Sequence, residues 1–314
     1  MSFTSIVKTE ISTIKTTKTE CLAELSGFLR SSFKNSDGEF DIYTENINAA
    51  KRIYSSIKEI YGVDCEIDIK TSVMFKKRKT YHILINEKKN FIMQDLSVID
   101  FDGNFIKSTM EYIVGSEDEI KAYIRGAFLA CGSINDPKTS QYHLEFLFDY
   151  KEEAVFVQRL LNEFDLNAKI LIRDKKYMVY LKDSDDISDF LKIIGTYNAV
   201  MYYENVRAMK EQKNITNRLN NCEQANTDKI LMSSNEQIKE INLIIEKLGF
   251  EFFDEKLKEA VEYRLKYPES SLTELSEIIS LETSKKITKS GLNHRFRKIK
   301  ELANKIRQQD KKNK

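Results

Sequence analysis

The sequence predicts an α+β protein: a duplicated αβαββα unit followed by an all-α segment. Three observations carry that expectation. Along the first 195 residues, apolar spacing alternates between the 3.6-residue period of helices and the two-residue period of strands. The same order of elements recurs at an offset of about 100 residues, Phe33 answering to Gly132 and Ile67 to Ile170, which an internal duplication explains economically. The 314 residues include only 10 Gly and 2 Pro, too few turn-formers for a turn-dense β-sandwich. With 41% hydrophobic residues, among them 18 Phe and 15 Tyr, the chain has apolar mass for packed cores, which excludes global disorder.

The first unit, residues 19–98, opens with a helix from Thr19 to Phe33. The alternation Phe40-Asp41-Ile42-Tyr43-Thr44 reads as a strand. Ala50, Ile53, Tyr54, Ile57 and Tyr61 then mark one face of a helix. Strands follow at Val63 to Lys70 and Thr80 to Ile85, joined by the basic turn Lys76-Lys77-Arg78-Lys79, and a short helix from Phe91 to Val98 closes the unit.

The second unit, residues 119–195, repeats the order. It runs from a helix at Glu119 to Cys131 through a strand at Tyr142 to Phe148 to a helix carrying Val155, Phe156, Leu160, Leu161 and Phe164. Strands at Ala168 to Ile172 and Tyr177 to Leu181 pair across Asp174-Lys175-Lys176, and the last helix, Asp185 to Ile194, stops at Gly195. Two such halves pack with their first helices at the seam, which makes residues 1–201 one domain. Residues 202–229 are polar without Gly or Pro and read as a helical linker. Residues 230–314 form a helical domain, with helices at Glu236 to Leu248, Asp254 to Tyr267, Leu272 to Ile279 and Ser290 to Ile306.

Net charge is +1 but uneven. Residues 285–314 hold twelve basic side chains against Glu301 and Asp310, a net of +10 that leaves −9 on the other 284 residues. A cationic end on an acidic body points to a polyanion partner for that end. The four Cys and three His are scattered, with no zinc or redox spacing, so the thiols read as reduced and structural, and neither metal nor cofactor is expected. No stretch approaches the roughly 18 apolar residues of a membrane span, and the N-terminus shows no signal pattern. The expectation is a soluble cytoplasmic protein that makes no membrane contact.

The last two helices are the most informative. Leu292, Phe296, Ile299, Ala303 and Ile306 fall in one narrow stripe that faces the domain. Ser290, which is placed to cap the helix, points away together with Asn293, His294, Arg297 and Lys298, and Lys289 sits in the first turn. This is what a recognition helix needs, because the major groove admits one helix whose first turns meet base edges. Lys285, Lys286, Arg295 and Lys300 flank it and are placed to neutralise phosphates. Residues 272–306 thus read as a helix-turn-helix on double-stranded DNA. A solvated basic helix, or one bound to a membrane or an acidic protein, has the same pattern.

Three segments carry a family resemblance. Residues 288–299, Thr-Lys-Ser-Gly-Leu-Asn-His-Arg-Phe-Arg-Lys-Ile, are similar to the signature of the WhiA family of bacterial regulators. Residues 217–226 resemble the family's motif before the helix-turn-helix, and residues 125–134 resemble its mid-chain motif. The resemblance implies a domain like a LAGLIDADG homing endonuclease, tethered to a helix-turn-helix similar to sigma-factor region 4. It also implies a role in cell division, chromosome segregation or, in sporulating relatives, developmental transcription. In that architecture Gly126, Ala127 and Ala130 would approach Ala23, Ser26 and Gly27 at a pseudo-dyad.

An active enzyme of that class places an acid at the foot of each motif helix to hold Mg²⁺. Here the matching positions are Ser32 and Cys131, neither a serviceable Mg²⁺ ligand, with Asp37 and Asp136 a few residues beyond. The expectation is therefore a DNA-binding protein without catalysis, associated with the nucleoid and open to other transcription or cell-division proteins as partners. The alternatives are a divergent metal-dependent endonuclease and an adaptor whose acidic body recruits proteins.

Overall fold

The computed structural model describes residues 2–32, 42–71, 79–106 and 111–312, with the backbone alone at 111 and 310–312. Phe33, Asp37, Phe40, Asp41, Lys76, Lys77 and Arg78 lie outside the described residues. The chain divides into two compact units, residues 1–210 and 211–314.

The first unit is built around two helices, α2 (Lys18–Ser32) and α5 (Glu117–Cys131), preceded by α1 (Phe3–Ile11). The seam between α2 and α5 is tight enough to require glycine where the two backbones meet. A Cβ at Gly27 would lie 2.2 Å from the Tyr123 carbonyl oxygen, and one at Gly126 would lie 2.0 Å from that of Glu24. Charge also crosses the seam: Glu24 of α2 accepts from Arg125 of α5 at 3.2 Å and from Arg52 Nη2 at 2.9 Å.

Around the seam lie α3 (Ile47–Tyr61), α4 (Lys89–Asp95), α6 (Lys151–Asn162) and α7 (Ser184–Ile193). The described strands form two antiparallel sheets. β1 (Tyr43–Thr44), β2 (Cys65–Thr71) and β3 (Lys79–Ile85) take the order β1-β3-β2. β4 (Gly132–Ile134), β5 (Leu144–Phe148), β6 (Lys169–Arg173) and β7 (Lys176–Leu181) take the order β4-β5-β7-β6. The β5-β7-β6 part repeats the topology of β1-β3-β2, as a duplication requires. Leu144, Phe146 and Phe148 are buried at alternate positions of β5, the strand period made visible.

β4 and α1 lie outside the expected pattern. β4 follows α5 without a break and is three residues long, too short for alternation to register. α1 buries Phe3, Val7 and Ile11 at steps of four behind an N-cap at Ser2, a helical period also present in the sequence. The turn between β6 and β7 is Asp174-Lys175 alone, both at positive φ, so Lys176 opens β7 and does not sit at the tip.

α8 (Tyr197–Leu248) is a single 52-residue helix covering both the expected linker and the helix expected after it. The Glu10 carboxylate accepts from the Asn198 and Ala199 amides at 2.8 and 3.0 Å, supplying acceptors for orphan N–H groups of its first turn. Residues 211–229 of α8 are exposed on every face.

In the second unit, the C-terminal part of α8 packs with α9 (Glu255–Lys266), α10 (Leu272–Thr283) and α11 (Lys289–Lys312). The expected stripe of Leu292, Phe296, Ile299, Ala303 and Ile306 is buried throughout, against Ile241, Val261, Leu275 and Ile279 among others. Burying one such side chain contributes about 1.5–3 kcal/mol, so the stripe sets which face of α11 turns outward.

Candidate nucleic-acid interface

α10, a short turn and α11 form the candidate interface. Ser271 starts α10 through a reciprocal capping box with Glu274. The helix runs to Thr283, so the connection is Ser284–Thr288 and not Ser280–Thr288. Ser284 takes a left-handed φ of 55°, and the Ser280 hydroxyl accepts from the Ile287 amide at 3.0 Å, which closes the turn. Thr288 caps α11, its Oγ1 accepting from the Gly291 amide at 3.2 Å. The expected cap, Ser290, is instead the second residue of the helix, because α11 begins two residues earlier than a cap at Ser290 would place it.

Lys285, Lys286, Lys289, Ser290, Asn293, His294, Arg297, Lys298 and Lys300 are all exposed. They differ in how free their charges are. Among the described residues, Lys285, Lys286, Lys289 and Lys298 have no carboxylate partner, whereas Arg297 lies 3.8 Å from Glu301, one turn on. Lys300 Nζ lies 3.8 Å from Glu236 and 4.0 Å from Glu240 on α8. Arg295 is half-buried, its Nη1 donating to Glu259 of α9 at 2.7 Å. Its guanidinium is committed to holding α11, a role the sequence did not show because its partner lies 36 residues away.

In the first unit, the feet of α2 and α5 meet in a cleft of about 370 Å³ that brings Ser32 and Cys131 together. Lys8, from α1, enters the same cleft and donates to the Leu129 carbonyl at 3.0 Å. Burial lowers its pKa to about 8, against the opposing influence of Cys131 and Glu45. The Ser32 hydroxyl donates to the Phe28 carbonyl of its own helix. The Cys131 thiol is pushed up to about 12 by burial, outweighing the pull of Lys8, so it stays protonated at neutral pH.

These residues do not fit Mg²⁺, which takes hard anionic oxygens. A hydroxyl and a thiol stand at the two feet, and two ammonium groups, Lys8 and Lys176, share the cleft. Of its two carboxylates, Glu45 and Asp149, neither is at a foot, and Asp149 is paired with Lys176 at 3.0 Å. Asp136 is engaged elsewhere, accepting from the Lys138 amide at 2.9 Å and from the Tyr202 hydroxyl at 3.2 Å. Among the described residues, no group of three or more His, Cys, Asp or Glu is placed to hold a metal ion, and no helix is long and apolar enough to cross a membrane.

Comparison with known proteins extends this picture over nearly the whole chain. Residues 18–99 match the WhiA N-terminal LAGLIDADG-like domain, residues 120–213 the WhiA LAGLIDADG-like domain, and residues 216–303 the WhiA C-terminal HTH domain. The probable cell division protein WhiA of Bacillus cytotoxicus is 40% identical over 311 residues, 98% of each chain. Its counterpart from Bacillus velezensis is 39% identical over the same length. The crystal structure of full-length DUF199/WhiA from Thermatoga maritima has the same fold, with a TM-score of 0.58 at 23% identity, covering 97% of this chain and 99% of that one. The chain belongs to the WhiA family.

Proposed function

We propose that the protein is a non-catalytic reader of double-stranded DNA that acts in bacterial cell division and chromosome segregation by regulating transcription. On this reading it resides in the cytoplasm on the nucleoid, with residues 1–201, 202–229 and 230–314 as body, helical linker and DNA-binding domain. The observation that carries it is the outward face of α11. Asn293 and Arg297 stand exposed one turn apart, a spacing suited to adenine and guanine edges, with exposed lysines on either side. The names of the relatives supply the cell-division context.

Competition titrations on a selected and a scrambled duplex test it. Arg297→Ala should cost about 1–3 kcal/mol on the selected site and relax preference at one position. Equal loss on both duplexes with an unchanged melt would mean that α11 grips the backbone without reading bases.

The endonuclease alternative is disfavoured by the cleft chemistry, and purified protein should show no Mg²⁺-dependent nicking of supercoiled DNA. The adaptor reading has one observation in its favour. The strands leave Ile69, Leu84, Leu171 and Ile172 exposed, apolar side chains that suit a protein partner better than a polyanion. A binding-site selection that returned no consensus would favour it.

A further inference from the structure

Within the second unit, a cleft of about 340 Å³ opens between α8, the end of α9 and the first residues of α10 and α11. Its polar lining includes Lys229, Ser233, Arg264, Ser270, Thr273 and Lys289, three cations and, among the described residues, no acid.

Arg264 is 1% exposed. Its Nη1 donates to the carbonyl oxygens of Ser270 at 2.6 Å and Tyr267 at 3.3 Å, but its Nε has no hydrogen-bond partner. Among the described residues no carboxylate pairs with it, and burial alone pulls its pKa down. A buried guanidinium without a counter-charge is expensive, and an anion placed beside it offsets that cost.

The start of α10 adds to the same field. Its capping box occupies the amides of Ser271 and Glu274, leaving those of Leu272 and Thr273 without intrahelical acceptors at the positive end of the helix dipole. Lys229 and Lys289 are exposed and carry no carboxylate partner among the described residues. Lys289 is also the first residue of α11, so the cleft lies at the end of that helix where its contacts begin.

We propose that this cleft seats a DNA backbone phosphate beside the groove that α11 enters, with Lys229 and Lys289 contacting its oxygens. The α10 N-terminus and Arg264 supply the fixed positive potential. This rests on the reading of α11 as the groove helix, and it adds Lys229, from the exposed segment of α8, to the DNA contact. A phosphate seat of this kind fixes register and carries no base information, which complements Asn293 and Arg297.

The test uses the full chain, a labelled duplex of about 30 base pairs and salt between about 50 and 200 mM. Lys229→Ala should weaken matched and scrambled duplexes alike, by about threefold to tenfold, and flatten the log-log salt slope by about 0.9. Lys229→Arg should retain binding, and the melts should not move. One neutral methylphosphonate substitution along the duplex should weaken the wild type but not Lys229→Ala. A wild-type slope for Lys229→Ala, or no methylphosphonate position whose effect it abolishes, overturns the seat. If Lys229→Ala is silent while Arg297→Ala still loses preference, the seat alone fails. If Arg297→Ala keeps full preference, the reading of α11 fails.

Discussion

Arg295 of α11 and Glu259 of α9 meet at 2.7 Å, with side chains 19% and 17% exposed. The pair adds to the buried stripe in holding α11 to the domain, and it keeps Arg295 half-buried while Arg297 and Lys298 are exposed. Removing one partner leaves the other charge partly desolvated. Arg295→Ala and Glu259→Gln should each lower stability by about 1–3 kcal/mol, and the double variant should be little worse than either. Urea unfolding of the four proteins measures this, and additive losses would show that the two side chains act independently.

Gly291, in the first turn of α11, is exposed, and an added Cβ would meet nothing closer than Thr288 Oγ1 at 3.4 Å. Nothing inside the fold requires glycine there. Gly291→Ala should therefore stabilise the helix by about 0.5–1 kcal/mol. If the bare backbone is needed for close approach to DNA, the same variant binds duplex more weakly despite its higher melting temperature. Unchanged affinity would place this turn outside the groove.

The opposite case is Gly126, whose added Cβ would meet the Glu24 carbonyl at 2.0 Å and the Phe28 amide nitrogen at 2.8 Å. Backbone cannot yield as a flexible side chain can. Gly126→Ala should cost about 3 kcal/mol or more and lower the melting temperature of the first unit. A loss below about 1 kcal/mol would mean that α2 and α5 separate easily.

Lys8 and Cys131 give the cleft a measurable pH signature. The folded Lys8 pKa of about 8 lies below the ordinary 10.5, so its charge costs stability below pH 8, and that cost fades as pH rises from 8 to 10.5. Lys8→Met should raise the melting temperature at pH 7, with a gain that shrinks over that window. A gain constant with pH would exclude titration of Lys8 as its cause. Cys131 works the other way: with its folded pKa raised from 9.0 to about 12, its contribution is complete below pH 9 and is lost as pH climbs toward 12.

The same thiol gives a direct chemical readout. At pH 8, iodoacetamide should label the exposed Cys222 and spare Cys131 until the chain is unfolded. Mass spectrometry of native and urea-treated protein reads the difference, and rapid native labelling of Cys131 would contradict the protonated thiol.

Much of this protein is local in origin and was legible along the chain. The stripe from Leu292 to Ile306, the alternation in β5 and the duplicated order of elements depend on residues a few positions apart, and hydrophobic period reports such relations faithfully. The same local logic predicted the exposure of Asn293 and Arg297, since burying one face of a helix dictates the other. Where the local signal was short or shifted, it misled. β4 offered three residues, and the cap moved from Ser290 to Thr288 because a helix boundary is uncertain by a residue or two.

Long-range pairing was decided only by the tertiary structure. Nothing along the chain joins Arg295 to Glu259, brings Lys8 to Ser32 and Cys131, or sets Lys229 beside Lys289. Each of these depends on how packed helices bring distant side chains within Coulomb and hydrogen-bond range, a few ångströms in which partner identity matters more than spacing. Periodicity therefore determined which face of α11 turns outward, while packing determined which of its cations are tied to carboxylates.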